Sequence, residues 1–320
     1  MESCWQSGYV AGRLVHYVER IEDFAPLAEI TRIGVLAHPL RPQSYPIAHQ
    51  MKATLEANGI ESFVYTDWKS ADVEAAVKQA DMVIAIGGDG AMLRASRVCA
   101  PCGVPVLGVN MGQLGFLTEI AEPEHWDDQL GAILKGEYWI EDRMMLHADV
   151  MRGGEIYARG EALNDMVISG SVFGGMIELE TFIDDDWATT YNADALVIAS
   201  ATGSTAYALA LGGPILPPQL KNILILPAAP HLSMDRPIVL SEGARVEVIA
   251  TPTRSADVML TADGMKVGMI LPEDRVRVQA SERTSRFVRL RGRNYFYRSL
   301  LDRLEPRVQR SRNGDAPDAD

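Results

Sequence analysis

Between Arg32 and Val109 short apolar runs alternate with stretches of helical periodicity, and that alternation limits the fold more than any other feature. Ile33 to Ala37, Phe63 to Tyr65, Met82 to Ile86 and Val104 to Val109 read as strands. Met82-Val83-Ile84-Ala85-Ile86 contains no polar residue, so both of its faces must be covered, as in the centre of a parallel sheet. Between the strands, Ile47, Met51 and Leu55 repeat at helical spacing until Asn58-Gly59 supplies a stop, and Ala71 to Ala80 and Ala91 to Val98 read as further helices. Parallel neighbours need such crossovers. The first half is therefore read as an α/β domain with a Rossmann-like parallel sheet.

After Pro123, which opens a helix with Trp126, Leu130 and Leu134 on one stripe, the period changes to two. Leu146 to Arg152 and Glu155 to Arg159 flank Gly153-Gly154, a pair that permits the positive φ of a tight hairpin. Later strands are predicted at Ile177 to Ile183, Leu196 to Ala199, Ile223 to Leu226, Val246 to Thr251, Val258 to Ala262, Val267 to Ile270, Val276 to Ala280 and Phe287 to Leu290. So many short strands suggest a β-sandwich-like domain. The division that follows is an N-terminal extension over 1–30, an α/β domain over 31–138, a β-rich domain over 139–292, a closing helix within 293–306 (Tyr295 to Leu304) and a polar, disordered tail over 307–320.

With 30 Lys+Arg against 43 Asp+Glu the net charge is -13, which argues against a nucleic-acid partner. No apolar run approaches the roughly 20 residues of a membrane span, and the N-terminus lacks a signal pattern, so a cytoplasmic protein without a membrane partner is expected. Cys4, Cys99 and Cys102 cannot form a disulfide framework. Cys99 and Cys102 make a CxxC without a second ligand pair, and they read as incidental thiols.

The chemistry is concentrated in three segments. There is no G-x-x-x-x-G-K-[ST] and no G-x-G-x-x-G; the most apolar strand instead runs into Gly87-Gly88-Asp89-Gly90 and a helix. Such glycines let successive backbone N–H groups turn toward a phosphate, helped by the helix N-terminus. A carboxylate there repels phosphate unless it has a task, so Asp89 takes a proton, holds a metal or binds a sugar hydroxyl; the plainer alternative is a helix cap. Ser200-Ala201-Thr202-Gly203-Ser204-Thr205-Ala206-Tyr207 places four Ser/Thr hydroxyls around a glycine, suited to a phosphate, a base edge or ordinary capping. Asn164-Asp165 interrupts the apolar run Ala162-Leu163 and Met166-Val167-Ile168, and a ribose diol is one partner that satisfies both side chains.

In order, Gly87-Gly88-Asp89-Gly90, Asn110-Met111-Gly112-Gln113-Leu114-Gly115-Phe116-Leu117, Ala162-Leu163-Asn164-Asp165, Thr202-Gly203-Ser204-Thr205-Ala206-Tyr207 with Gly212-Gly213-Pro214-Ile215-Leu216, Pro230-His231 with Arg236-Pro237-Ile238-Val239, and Asp263-Gly264 resemble the motifs of the NAD kinase family. The resemblance covers about Ile33 to Gly268. It implies transfer of the terminal phosphate of ATP, or in some members polyphosphate, to the 2'-hydroxyl of the adenosine ribose of NAD, giving NADP. It further implies a divalent metal such as Mg²⁺, a nucleotide-binding α/β domain, a β-rich NAD-binding domain, and homodimers or homotetramers. By position, Asp89 is the general base, and Gly87, Gly88 and Gly90 border the substrate. Asn164 and Asp165 hold the nicotinamide-side ribose, and Asp194 lies near the nicotinamide or at the subunit boundary. Thr205, Ala206, Tyr207, Ala208, Leu209 and Ala210 border the adenine.

The sequence departs from the family at Ala91, where a Thr hydroxyl usually offers one more donor to a phosphate, and at Ala193, Ala195, Ala199 and Ala201, where two glycines, a serine and a proline are usual. Met265 follows Asp263-Gly264 in place of a frequent Gln. His231 reads as structural, at the border of the site. Two other readings use some of the same residues. A lipid kinase of the GGDG type leaves the adenine-side and ribose-side motifs unexplained, and a non-catalytic NAD-binding regulatory module leaves the retention of Asp89 unexplained.

Overall fold

The computed structural model describes residues 30–112, 115–170, 176–252 and 257–304. The extension expected over the first residues and the tail from 307 lie outside them, as do Gln113 and Leu114 of the glycine-rich motif. The chain runs β1 (Arg32–Leu36), α1 (Ser44–Ala57), β2 (Glu61–Tyr65), α2 (Ala71–Val77), β3 (Met82–Ile86), α3 (Asp89–Cys99), β4 (Val106–Val109) and α4 (Trp126–Leu134). It continues as β5 (Trp139–Arg152), β6 (Glu155–Ala162), β7 (Asp165–Gly170), β8 (Ile177–Ile183), β9 (Asp186–Ala193), β10 (Ala195–Ser200), α5 (Tyr207–Ala210), β11 (Asn222–Ala228) and β12 (Ile238–Ser241). The last elements are β13 (Val246–Pro252), β14 (Val258–Ala262), β15 (Met265–Ile270), β16 (Arg275–Arg289) and α6 (Tyr295–Leu304).

The first four strands pair in parallel in the order β2-β1-β3-β4. β3 is buried along its whole length because it is covered twice. Met82, Ile84 and Ile86 meet Met51 and Leu55 of α1 with Trp126 and Leu130 of α4, while Val83 and Ala85 share a second cluster with Val73 of α2 and with Met92 and Ala95 of α3. On α4 the inward stripe is Trp126, Leu130 and Ile133, and Leu134 is 39% exposed. The expected stripe was therefore one residue off at its end: Ile133 returns almost to the azimuth of Trp126, whereas Leu134 has rotated well past it.

The parallel sheet does not stop at the end of the α/β half. β4 is joined in parallel by β16, which leads through β13 and β8 to β9 and also pairs with β5, which carries β6 on its other side as a branch, making ten strands in all. A second, six-stranded antiparallel sheet has the order β12-β11-β10-β7-β14-β15. Its inward residues, among them Ile168, Ile198, Ile225 and Leu260, share one core with Leu146, Leu179, Val248 and Val276 of the larger sheet. The fold is thus an N-terminal α/β domain with a mixed sheet and a C-terminal, mostly β domain of sandwich type.

Two predicted strands, Val276 to Ala280 and Phe287 to Leu290, are the ends of the single strand β16. The polar residues between them lie at a register shift against β5, where Ser281 and Arg283 bond Glu161 instead of entering the core. β9 and β12 escape the periodicity reading because each forms a sheet edge with few buried side chains. Gly153 and Gly154 turn the β5–β6 hairpin with φ of 58° and 87°, both in the region glycine favours.

Candidate active site

In an open α/β sheet ligands gather beyond the carboxyl ends of the parallel strands, and here β3 ends on the glycine loop. Gly87 has φ of 146°, and a Cβ there would lie 2.6 Å from the Ala91 methyl and 3.0 Å from the His38 ring. Gly88 occupies the N-cap of α3, so Asp89 is the first helical residue rather than the cap. Its carboxylate accepts the N–H of Phe116 and the N–H of Leu117, each at 2.9 Å. Gly115 is bound to be glycine for the same reason, since a Cβ on it would overlap that carboxylate. Thr118 Oγ1 accepts the Gly115 N–H at 2.9 Å and closes the turn. Gly115, Phe116 and Leu117 therefore lie against the glycine loop and orient its acid.

That segment is held from behind by a buried ionic network. Arg289, fully buried, donates to Glu141 at 2.8 Å, to Glu119 at 3.2 Å and to the Leu117 carbonyl at 3.0 Å. Leu117 is thus gripped at its N–H by Asp89 and at its carbonyl by Arg289. Arg143 adds bonds to Glu141, to Tyr295 of α6 and to Thr202 Oγ1, the last at 3.3 Å. Burial pushes the Glu141 carboxyl up, but Arg143 and Arg289 outweigh it and hold the group below its ordinary value. Sequence reasoning missed this network because its members are scattered charges on β5, on β16 and in the loop before α4, with one tyrosine on α6.

Asn164 lies between β6 and β7 and Asp165 opens β7, and the backbone of the pair is satisfied on both sides. Asp263, at φ of 46° in the β14–β15 turn, accepts the N–H groups of Leu163, Asn164 and Asp165 at 2.9, 2.8 and 3.3 Å. On the other side the Asn164 carbonyl accepts the Ser200 N–H at 2.8 Å, and the Ser200 hydroxyl donates to the Leu163 carbonyl. Gly203 passes so close to the Asn164 carbonyl that a Cβ would overlap it. Among the described residues neither the Asn164 nor the Asp165 side chain has a hydrogen-bond partner in the protein. Burial, and then the charge of Asp263, push the Asp165 carboxyl up to about 6. Burial also pushes Asp263 up, against the opposing pull of its three N–H bonds and Arg97.

The hydroxyl cluster forms a 3-10 turn over Thr202–Thr205, not the opening of an α-helix. Two of its hydroxyls are used inside the turn: Ser204 donates to the Ala201 carbonyl at 2.7 Å and Thr205 to the Thr202 carbonyl at 3.2 Å. Tyr207, Ala208, Leu209 and Ala210 form the short α5, with Tyr207 exposed and Ala208 buried. Ala91 is 1% exposed, and a Cβ on Gly87 would lie 2.6 Å from its methyl, so a larger side chain at 91 has little room. Leu117, Leu163, Met92 and Ala95 share one apolar cluster, so the Asp89 loop and the Asn164-Asp165 loop rest on the same helix. Asp194 is not brought there. It precedes β10 at the end opposite Ala199, which pairs with Asp165, and five strand positions, roughly 17 Å, intervene. His231 lies at that far end as well, its N–H on the Asn192 carbonyl at 2.8 Å.

A glycine-aspartate loop at the end of a parallel strand, with the polar Asn164-Asp165 pair on an adjoining β-sandwich, fits a nucleotide-binding phosphotransferase. The ATP-NAD kinase N-terminal domain matches residues 33–138, and the ATP-NAD kinase C-terminal domain matches residues 163–290. The chain is 38% identical over 276 residues to an NAD kinase of Geotalea daltonii, covering 83% of this chain and 95% of that protein. It is 37% identical over 275 residues to one of Chloroflexus aggregans, covering 86% and 99%. Among solved structures, yeast NADH kinase complexed with NADH has a similar fold, with a TM-score of 0.75 at 20% identity over 87% of this chain and 88% of that one. An NAD kinase from Archaeoglobus fulgidus in complex with ATP gives a TM-score of 0.67 at 23% identity over 85% and 98%. The chain belongs to the ATP-NAD kinase family.

Proposed function

We propose that this protein phosphorylates NAD, moving the terminal phosphate of ATP to the 2'-hydroxyl of the adenosine ribose and releasing NADP and ADP. The observation that carries the site assignment is the Asn164-Asp165 pair: its backbone is saturated by Asp263 and Ser200 while both side chains remain available, on the same core as the helix that Asp89 begins. An amide beside a carboxylate can both donate to and accept from a ribose diol. Asp89 accepts the 2'-hydroxyl proton as the new P–O bond forms, and the Phe116 and Leu117 N–H groups keep it in one orientation while it does so. The backbone N–H groups at Gly88 and Gly90 and the start of α3 face the transferring phosphate. Phosphoryl transfer asks a protein mainly for placement and charge stabilisation, which these parts supply.

Among the described residues no three His, Cys, Asp or Glu side chains converge as a metal cage. Mg²⁺ usually keeps several waters and is bound through substrate phosphates with one or two carboxylates, so a metal arriving with ATP fits this site, with Asp89 the carboxylate in the glycine loop itself. Such an ion, when bound, would neutralise charge on the phosphate chain. ATP is the donor in this reading, and polyphosphate is the alternative. Thr205 to Ala210 border the adenine. Asp194 serves the nicotinamide end or the boundary of a homodimer or homotetramer, in keeping with its place across the second sheet. No helix among the described residues is long and apolar enough to cross a membrane, and we place the protein in the cytoplasm. Family matches over both halves disfavour a lipid kinase, which shares only the glycine loop. Incubation with ATP, Mg²⁺ and NAD, followed by an NADP-specific dehydrogenase, tests the reading. NADP must accumulate with wild type, and at least roughly a hundredfold more slowly with Asp89→Asn.

A further inference from the structure

Asp263 belongs to none of the roles assigned above, yet its carboxylate has more backbone partners than any other near the site. Its side chain is buried and accepts three consecutive N–H groups, those of Leu163, Asn164 and Asp165. Its own N–H returns a bond to the Asp165 carbonyl at 2.9 Å. A non-glycine residue at φ of 46° is strained, and such strain persists only where the surroundings over-determine it. The second attachment of this turn comes from across the fold. Arg97, on α3, donates to the Ala262 carbonyl at 3.2 Å and lies 3.8 Å from the Asp263 carboxylate. Asp89 is the first residue of that same helix. One rigid path therefore runs from the acid at the head of α3, along the helix to Arg97, through Asp263, to the backbone that presents Asn164 and Asp165.

We propose that Asp263 and Arg97 form a strut that sets the acceptor ribose relative to Asp89, making Asp263 a positioning residue for NAD and Arg97 the link that keeps the two loops in register. This rests on the assignment of Asn164 and Asp165 to the ribose. Asp263 shapes the binding loop and Arg97 sets its distance from the base, so the two residues should fail differently. In the first case binding of one substrate suffers, and in the second the reaction rate suffers, because misplacing reacting groups by about 1 Å can cost on the order of a hundredfold.

The test is steady-state kinetics and calorimetric NAD binding on the full chain with Asp263→Asn, Arg97→Met and Arg97→Lys. Asp263→Asn keeps the shape but turns an amide N–H₂ toward backbone donors, and it should raise the KM and Kd for NAD by roughly tenfold or more with the ATP KM within about threefold. Arg97→Met should lower kcat by roughly tenfold at nearly unchanged ATP KM, and Arg97→Lys, which retains the charge and a donor, should recover part of it. A purely structural role would raise both KM values together with a lower melting temperature, and that pattern, or unaltered kinetics, overturns the strut. If Asp263→Asn does not fold, Arg97, which is partly exposed, carries the test alone. A wild type that binds NAD but makes no NADP would refute the kinase reading while the calorimetric comparison still decides the strut; a wild type that binds no NAD refutes both.

Discussion

Replacing Asp165 by Asn should make this protein more stable and a worse binder of NAD. The carboxyl is buried in front of Asp263, and its rise from 3.8 to about 6 corresponds to about 3 kcal/mol of penalty against the ionised form at neutral pH. Because the folded-state value lies above the unfolded one, the folded protein holds its proton longer. The group's favourable contribution is complete below pH 3.8, declines as pH rises through 6, and is gone above about 7. Asn is isosteric and has no charge to bury. Urea unfolding without nucleotide should therefore show Asp165→Asn about 3 kcal/mol above wild type at pH 7.5, with the gap closing toward pH 4. The same exchange removes an anionic acceptor for a ribose hydroxyl, worth about 1.5 to 3 kcal/mol, so the NAD KM should rise at least roughly tenfold. In wild type the NAD KM should itself rise as the pH is lowered through 6. A stability difference of the same size at pH 4 and pH 7.5 would refute the argument, since only a titrating carboxylate makes the gap depend on pH.

Other perturbations separate the parts of the site. Asp89→Asn should lower kcat by roughly two to four orders of magnitude with NAD affinity within about tenfold, measured by single-turnover NADP formation and calorimetry. Gly203→Ala must push the turn off the Asn164 carbonyl, and should abolish measurable NAD binding while the circular dichroism of the sheets is kept. Ala91→Thr, an enlargement at a position 1% exposed, should cost about 1 to 3 kcal/mol in urea unfolding and leave the ATP KM unaltered. Arg289→Met leaves Glu119 and Glu141 buried without their shared guanidinium, which should cost about 3 to 5 kcal/mol by the same measurement. A loss under about 1 kcal/mol there would mean that water replaces the arginine.

Most of the elements were legible in the amino-acid order because each depends on its own residues. Met82–Ile86 has no polar side chain, Gly153-Gly154 allows one kind of hairpin, and both elements occur where the period analysis puts them. The glycine loop, Asn164-Asp165 and the hydroxyl cluster were likewise visible as residue types out of keeping with their surroundings. The orientation of the hydroxyls was not: Ser204 and Thr205 turn inward to their own 3-10 turn, Ser200 reaches Leu163 and Thr202 meets Arg143. Nor was the continuity of the main sheet: the polar Ser281–Arg286 stretch reads as a break, and only a bulge against β5 with Glu161 opposite lets β16 run through it. Asp263 stood in a recognised motif with no role, because a carboxylate that caps the backbone about 100 residues earlier leaves no local signature.

Local periodicity, turn chemistry and the presence of an acid in an anion loop are properties of neighbouring residues, and the sequence by itself determined them. Which charges meet was decided by the tertiary structure alone. Arg289 reaches Glu119 across 170 positions and Arg143 reaches Thr202 across 59, and pairing at such separations depends on how the sheets register and pack. A buried ion is tolerable only where the fold brings its partner, so the strength of these contacts is a property of the packed chain and not of any segment within it.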